Sequence, residues 1–211
     1  MRCMTENRGL YMENNIIEES RLKFKFPDKC TVIKFDDTKF YREYFNKLPE
    51  AKGVDFISVG KNKIAFIEVK NCIGDEGNCR WRIAPNNQKR NSTHTSVNIG
   101  ERDSLDIEVS QKIAMTVAAL MGAKSFGYTT DCLKELEKFI AYLSNDAFSD
   151  PSKKKFVILF LVGDIGRKPR TKKMIMKALQ DSMNKKLQLI NCRVSVVDSD
   201  TYNSKIFRVV N

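Results

Sequence analysis

The amino-acid sequence predicts a single α/β domain in which a mixed sheet is flanked by helices. Gly53 to Lys70 reads as two strands around a tight turn at Gly60-Lys61-Asn62-Lys63, apolar on both faces, as an inner strand pair requires. Phe156 to Val162 is the longest apolar run and is strand-sized; with helical periodicity on either side, it reads as a central parallel strand. A chain of 211 residues with 42% hydrophobic content covers one domain well and hardly two.

Taken in order, residues 1–13 form a flexible tail and 14–211 the domain. Ile16, Ile17 and Leu22 predict a short helix over 14–24 that carries Glu18 and Glu19, and Cys30 to Phe35 a strand. Asp36-Asp37-Thr38 offers an N-cap to a helix whose apolar positions are Phe40, Tyr41, Tyr44, Phe45 and Leu48, ending at Pro49. After the hairpin, 71–103 loses periodicity and becomes a long basic loop, a length that is uncommon inside a domain without a functional reason. Ser104 to Lys124 is a strong helix with Ile113, Val117, Leu120 and Met121 in one stripe. Thr130 to Asn145 is another, through Leu133, Leu136, Phe139, Ile140 and Leu143. Past the central strand, Thr171 to Leu189 is helical, and Cys192–Val197 and Lys205–Val210 are strands. Residues 171–211 thus read as a helix-strand accessory.

The first residues lack an apolar signal core and no run is long enough to span a bilayer, so a cytoplasmic (in a eukaryote, cytoplasmic or nuclear) and not a secreted or membrane protein is expected. The six scattered cysteines are then expected to stay reduced, and Cys72, Cys79 and the single histidine, His94, do not match a zinc spacing. With 37 Lys and Arg against 26 Asp and Glu, the net charge of +11 points to a polyanionic partner, nucleic acid before membrane. A homodimer stays open.

The hairpin carries the chemistry. If Lys61-Asn62 are the loop residues, Asp55 lies opposite Glu68, and strand alternation puts both on the same face as Lys70. Facing carboxylates repel, and a divalent cation with a taste for oxygen, Mg²⁺ or Mn²⁺, would offset that. Lys70 then has three possible tasks: orienting water, deprotonating it, or stabilising charge on a phosphate. The same trio also suits a plain strand-end salt bridge, and a one-residue slip would separate the acids.

Asp55, a hydrophobic strand and then Glu68-Val69-Lys70 resemble the signature of the PD-(D/E)XK nuclease superfamily, the restriction-endonuclease-like fold, with Val54 where that pattern has proline. The resemblance implies a Mg²⁺-dependent nuclease (Mn²⁺ as substitute) acting on nucleic acid, DNA before RNA. Asp55 and Glu68 would hold the metal and Lys70 would assist the attacking water. It also implies a further acid from an early helix, for which Glu18, Glu19 and Glu43 stand equal. A Gln or Lys from the helix after the Glu-x-Lys strand is implied too, which singles out Gln111 and Lys112 against a reading as plain helix surface. The alternative is an inactive nucleic-acid-binding or scaffold protein of the same fold.

Two basic clusters complete the expectation. Trp81 between Arg80 and Arg82 would stack on a base while the arginines hold phosphates, or would simply anchor the loop. Arg167, Lys168, Arg170, Lys172 and Lys173 gather at a strand-to-helix junction, where free helix N–H groups favour a phosphate.

Overall fold

The computed structural model describes residues 15–73, 81–88, 102–126, 131–144, 150, 152–166 and 169–210. The expected tail therefore lies outside the described residues, as do Arg80, His94, Arg167 and Lys168.

Instead of the helix expected over 14–24, the described chain begins with a β-hairpin, β1 (Ile16–Glu19) and β2 (Leu22–Lys25). Glu19 pairs with Leu22, so Ser20 and Arg21 are the two loop residues, at φ 52° and 65°. Two consecutive positive φ values define the tight turn whose twist suits a two-residue hairpin. Strand β3 (Thr31–Lys34) follows. Helix α1 (Lys39–Glu43) is capped by Thr38, whose hydroxyl accepts the Tyr41 N–H at 3.1 Å, and it buries Phe40.

The predicted hairpin is β4 (Phe56–Gly60) and β5 (Lys63–Asn71), paired Gly60 to Lys63 and Phe56 to Ile67. This is the expected register. The long α2 (Leu105–Ala123) comes next, with Ile113 and Leu120 buried and Met121 turned outward. Where one helix was expected over 130–145 there are two, α3 (Asp131–Lys134) and α4 (Glu137–Ser144), separated by a turn that buries Leu136. Strand β6 (Lys154–Val162), helix α5 (Lys172–Lys186), β7 (Arg193–Val197) and β8 (Arg208–Val210) finish the chain.

The central sheet has five strands in the order β3-β4-β5-β6-β7, and a second sheet has three, β1-β2-β8. The first three strands of the central sheet are antiparallel, and β5, β6 and β7 are parallel. The protein is thus a mixed α/β fold, one compact domain. Its C-terminal segment is integral: β7 extends the central sheet and β8 completes the other.

Strand alternation divides the core in two. Ile57, Val59, Ile64 and Phe66 face the helices, with Val109, Ile113, Leu120, Phe139 and Leu179. Phe56, Ala65, Ile67 and Val69 face the small sheet, where Phe24, Phe160 and Phe207 meet edge to face or tilted at 5.4–5.9 Å between ring centres. A buried polar clasp ties α2 to α5. Fully buried Asp106 accepts Ser104 Oγ at 2.5 Å, Ser182 Oγ at 2.7 Å and Lys186 Nζ at 2.7 Å. Burial works against its ionisation, but Lys186 and the two hydroxyls outweigh it and hold its pKa below the usual value. Lys186 also reaches Asn86 Oδ1 at 2.6 Å, so the segment 81–88 joins the same clasp.

Candidate functional site

Asp55 sits just before β4 and is pinned on three sides. Its carbonyl accepts the Phe35 N–H at 2.8 Å and its Oδ2 accepts the Val69 N–H at 2.7 Å. The preceding N–H, of Val54, donates to Thr116 Oγ1 on α2 at 3.1 Å, and that hydroxyl donates to the Lys112 carbonyl at 2.8 Å. The carboxylate is therefore fixed relative to both β5 and α2. Glu68 and Lys70 continue along the helix-facing side of β5, so the alternation expected from the hairpin places all three residues together.

A chain of charges runs through the site. Glu68 is fully buried, and its Oε1 receives Lys112 Nζ at 2.5 Å and Lys70 Nζ at 2.8 Å. Lys70 also binds Glu108 Oε1 at 2.8 Å, and Arg82 Nη2 holds the other oxygen of Glu108 at 2.8 Å. Lys112 stands 3.9 Å from Asp55 Oδ1. Three acids thus face three cations. Two polar atoms of these six side chains remain buried without a partner among the described residues, Glu68 Oε2 and Arg82 Nε. A pocket of about 370 Å³ opens over the group, lined among others by Asp36, Tyr41, Asp55, Lys70, Glu108 and Lys112.

The electrostatics separate the acids. Burial first, and then the charge of Glu68, push Asp55 up to about 7. Burial opposes ionisation of Glu108 as well, but Lys70, Arg82 and Lys112 overcome it and bring it down to about 2. For Lys70, burial would favour the neutral amine, yet Glu68 and Glu108 win and its pKa is raised. Lys70 is held as a cation.

The other expected residues distribute as follows. Lys112 is in the site, whereas Gln111, one position earlier, is exposed and does not line the pocket. None of the three early glutamates reaches it: Glu18 is exposed on β1, Glu19 pairs with Lys34 at 3.2 Å, and Glu43 pairs with Lys39 at 3.8 Å. The early acid in the pocket is Asp36, whose Oδ1 is buried without a partner among the described residues. Burial, more than its charged neighbours, raises its pKa. Trp81 donates its indole N–H to the Arg102 carbonyl at 2.8 Å, a loop anchor, and Arg82 is turned inward to Glu108 instead of being offered to solvent. Lys172 pairs with Asp198 at 2.6 Å, while Arg170 and Lys173 are exposed. That turn lies at the C-terminal end of β6, the same end of the parallel strands as Lys70.

Arg82 was expected to hold a phosphate and Asp36 to cap a helix, and neither they nor Glu108 were expected at the acid site. Glu108 and Lys112 are one helical turn apart and so share a face, a spacing that points both at the strand before them. Asp36 reaches the pocket from a single 3-10 turn (Phe35–Asp37), and Arg82 reaches Glu108 from a short helical turn; neither is long enough to carry a period.

Asp55 and Glu68 fit a hard divalent cation in donor chemistry: both supply oxygen, and Glu68 Oε2 lacks a partner among the described residues. Among the described residues no group of three or more His, Cys, Asp or Glu side chains is placed to hold a metal alone. An ion here would keep several waters, as Mg²⁺ commonly does.

Residues 38–211 match a protein-family model, a family of unknown function (DUF6661), and the chain belongs to that family. Searches of curated proteins and of solved structures return no match.

Proposed function

For this member of a family of unknown function, we propose a metal-dependent nuclease that hydrolyses phosphodiester bonds of nucleic acid at the Asp55/Glu68/Lys70 site. The observation that supports it most is the buried, partnerless Glu68 Oε2 beside a carboxylate whose ionisation is resisted. An unpaired oxygen inside a protein is costly, and a divalent cation at this point would satisfy it. The antiparallel hairpin followed by parallel strands also accords with the PD-(D/E)XK resemblance.

Asp55 and Glu68 would hold Mg²⁺, with Mn²⁺ as substitute. When bound, that ion supplies Lewis acidity, which makes water nucleophilic near neutral pH. The chain's own residues do the rest. Lys70, fixed between Glu68 and Glu108, is a permanent cation and so stabilises charge developing on the phosphate instead of removing a proton. Glu108, anchored by Arg82, holds that ammonium in place. Lys112 shares Glu68 with Lys70 and adds a second positive charge above the pocket floor. The preference for DNA over RNA follows the resemblance alone.

A second reading rests on the same charges. Asp55, Glu68 and Glu108 are balanced by Lys70, Arg82 and Lys112, a self-neutral cluster that an inactive nucleic-acid-binding or scaffold protein could keep. The deciding experiment offers plasmid, linear and single-stranded DNA, and RNA, with Mg²⁺ or Mn²⁺, to the wild type and to Asp55→Ala and Lys70→Ala. The nuclease reading expects cleavage by the wild type and loss of cleavage with retained binding in both variants. Binding without cleavage under every metal favours the inactive binder, and undiminished cleavage by both variants excludes this site.

A further inference from the structure

A second cavity lies away from the acids, and its lining has the opposite character. It measures about 480 Å³ and is lined by Lys29, Lys61, Lys63, Lys154 and Lys205, with Phe156 among its apolar residues and no acidic residue in its lining. Separate parts of the chain bring these lysines together. Lys61 is in the β4–β5 turn and Lys63 starts β5, Lys29 precedes β3, Lys154 starts β6, and Lys205 precedes β8. Two bonds fix the arrangement: the Lys154 N–H donates to the Asn62 carbonyl at 2.9 Å, and Lys63 Nζ donates to the Lys205 carbonyl at 2.9 Å. Among the described residues none of the five lysines is in an ion pair.

Folding therefore gathers like charges around a concavity with no acidic partner among the described residues, which is unfavourable by itself and favourable for an anion. Lys63 lies on the side of β5 opposite Glu68 and Lys70, and the run from Lys63 to Lys70 spans about 23 Å. The cleft is thus at the other end, and on the other face, of the central sheet. Lysines act as point charges that suit phosphates without demanding one base. A membrane-binding patch would put apolar side chains outward, whereas Phe156 is only partly exposed and packs against the small-sheet core.

We infer that this five-lysine cleft is a second binding site for a nucleic-acid backbone, separate from the hydrolytic pocket. It extends the nucleic-acid reading but stands on different residues, so each can fail alone. A strand held at both places must pass around the edge of the sheet, and the cleft adds affinity through tethering without touching the reacting phosphate.

The test measures binding in EDTA, where hydrolysis is silent, for a labelled single-stranded DNA of about 30 nucleotides across a salt series. Lys61→Gln/Lys154→Gln should weaken binding and flatten the plot of log affinity against log salt by about 1.4, two phosphates' worth. Lys61→Arg/Lys154→Arg should behave as wild type. Lys124→Gln/Lys185→Gln, the same charge change at exposed positions outside the cleft, should leave the slope nearly unchanged. An unchanged slope in the cleft variant, or an equal loss in both Gln pairs, overturns the inference. So does capture of phosphatidylserine vesicles without capture of DNA or RNA. Metal-dependent cleavage by the wild type, scored separately, bears on the hydrolytic site alone.

Discussion

Asp55 is the residue in which stability and the proposed chemistry conflict. Its carboxyl is pushed from 3.8 to about 7, so the folded chain holds that proton more tightly than the unfolded chain. The sign follows from linkage: Asp55 costs nothing below pH 4, and its cost grows as pH rises towards 7 and stays beyond it. Asp55→Asn should therefore melt higher than wild type at pH 8 without divalent ions, by about 2–4 °C for each kcal/mol relieved, and should match it near pH 4. Mg²⁺ should raise the melting temperature of the wild type only. If the variant melts lower at pH 8, the carboxylate is a structural ion-pair partner and the metal reading loses its footing. Glu108 has the opposite sign. Its pKa is brought down to about 2, so its contribution is present above 4.5 and lost as pH falls through that range. Glu108→Gln should cost about 1.5–3 kcal/mol at pH 7, the worth of hydrogen bonds to charged groups. In urea titrations that difference should shrink from pH 5 to pH 3. The pair 55/68 was legible in the sequence because two-residue strand periodicity and one turn determine it. The roles of Arg82 at Glu108 and of Asp36 in the pocket were not, since each comes from a single short turn with no local mark of what it folds against.

Among the elements, the β4–β5 hairpin was readable to the register, through Gly60 and Asn62 at its turn. The β1–β2 hairpin was not. Its loop is Ser20-Arg21, and both adopt a left-handed conformation with no glycine or asparagine to announce it. Ile16, Ile17 and Leu22 then looked like a helix face. The strain left in that turn is testable: Ser20→Asn/Arg21→Gly should stabilise the fold by about 0.5–1 kcal/mol, read as a higher denaturation midpoint, since side chains other than Gly, Asn or Asp resist positive φ. A loss of stability would mean that those side chains do something the backbone angles hide. Gly53, at the approach to Asp55, has the reverse constraint. A Cβ there would lie 2.6 Å from the Phe35 ring and 2.9 Å from Tyr41. Gly53→Ala should cost about 1–3 kcal/mol by overpacking, read as a shifted denaturant midpoint; an unchanged midpoint would show that the two rings yield freely.

The whole molecule is a central sheet between two unlike layers, helices on one side and a small sheet on the other. The hydrophobic pattern announced the covered hairpin and the central strand, but β8 pairs with β2 across nearly the whole chain. No local period reveals so distant a partner. No helix among the described residues is long and apolar enough to cross a membrane. Phe207, at 1% exposure, links the last strand to Phe24, Phe26 and Phe160. Phe207→Ala should therefore cost about 3–5 kcal/mol, measured by chemical denaturation. A loss under 1 kcal/mol would mark the small sheet as a loosely held cover.

The clasp at Asp106 has a kinetic corollary. One carboxylate joins α2, α5 and the segment 81–88, so none of the three can open while the others stay shut. In deuterium, amides of the mid-helical turns of α2 and α5 should lose protection in step, as a single foldon. Asp106→Asn should split them, letting the α5 amides exchange earlier than those of α2.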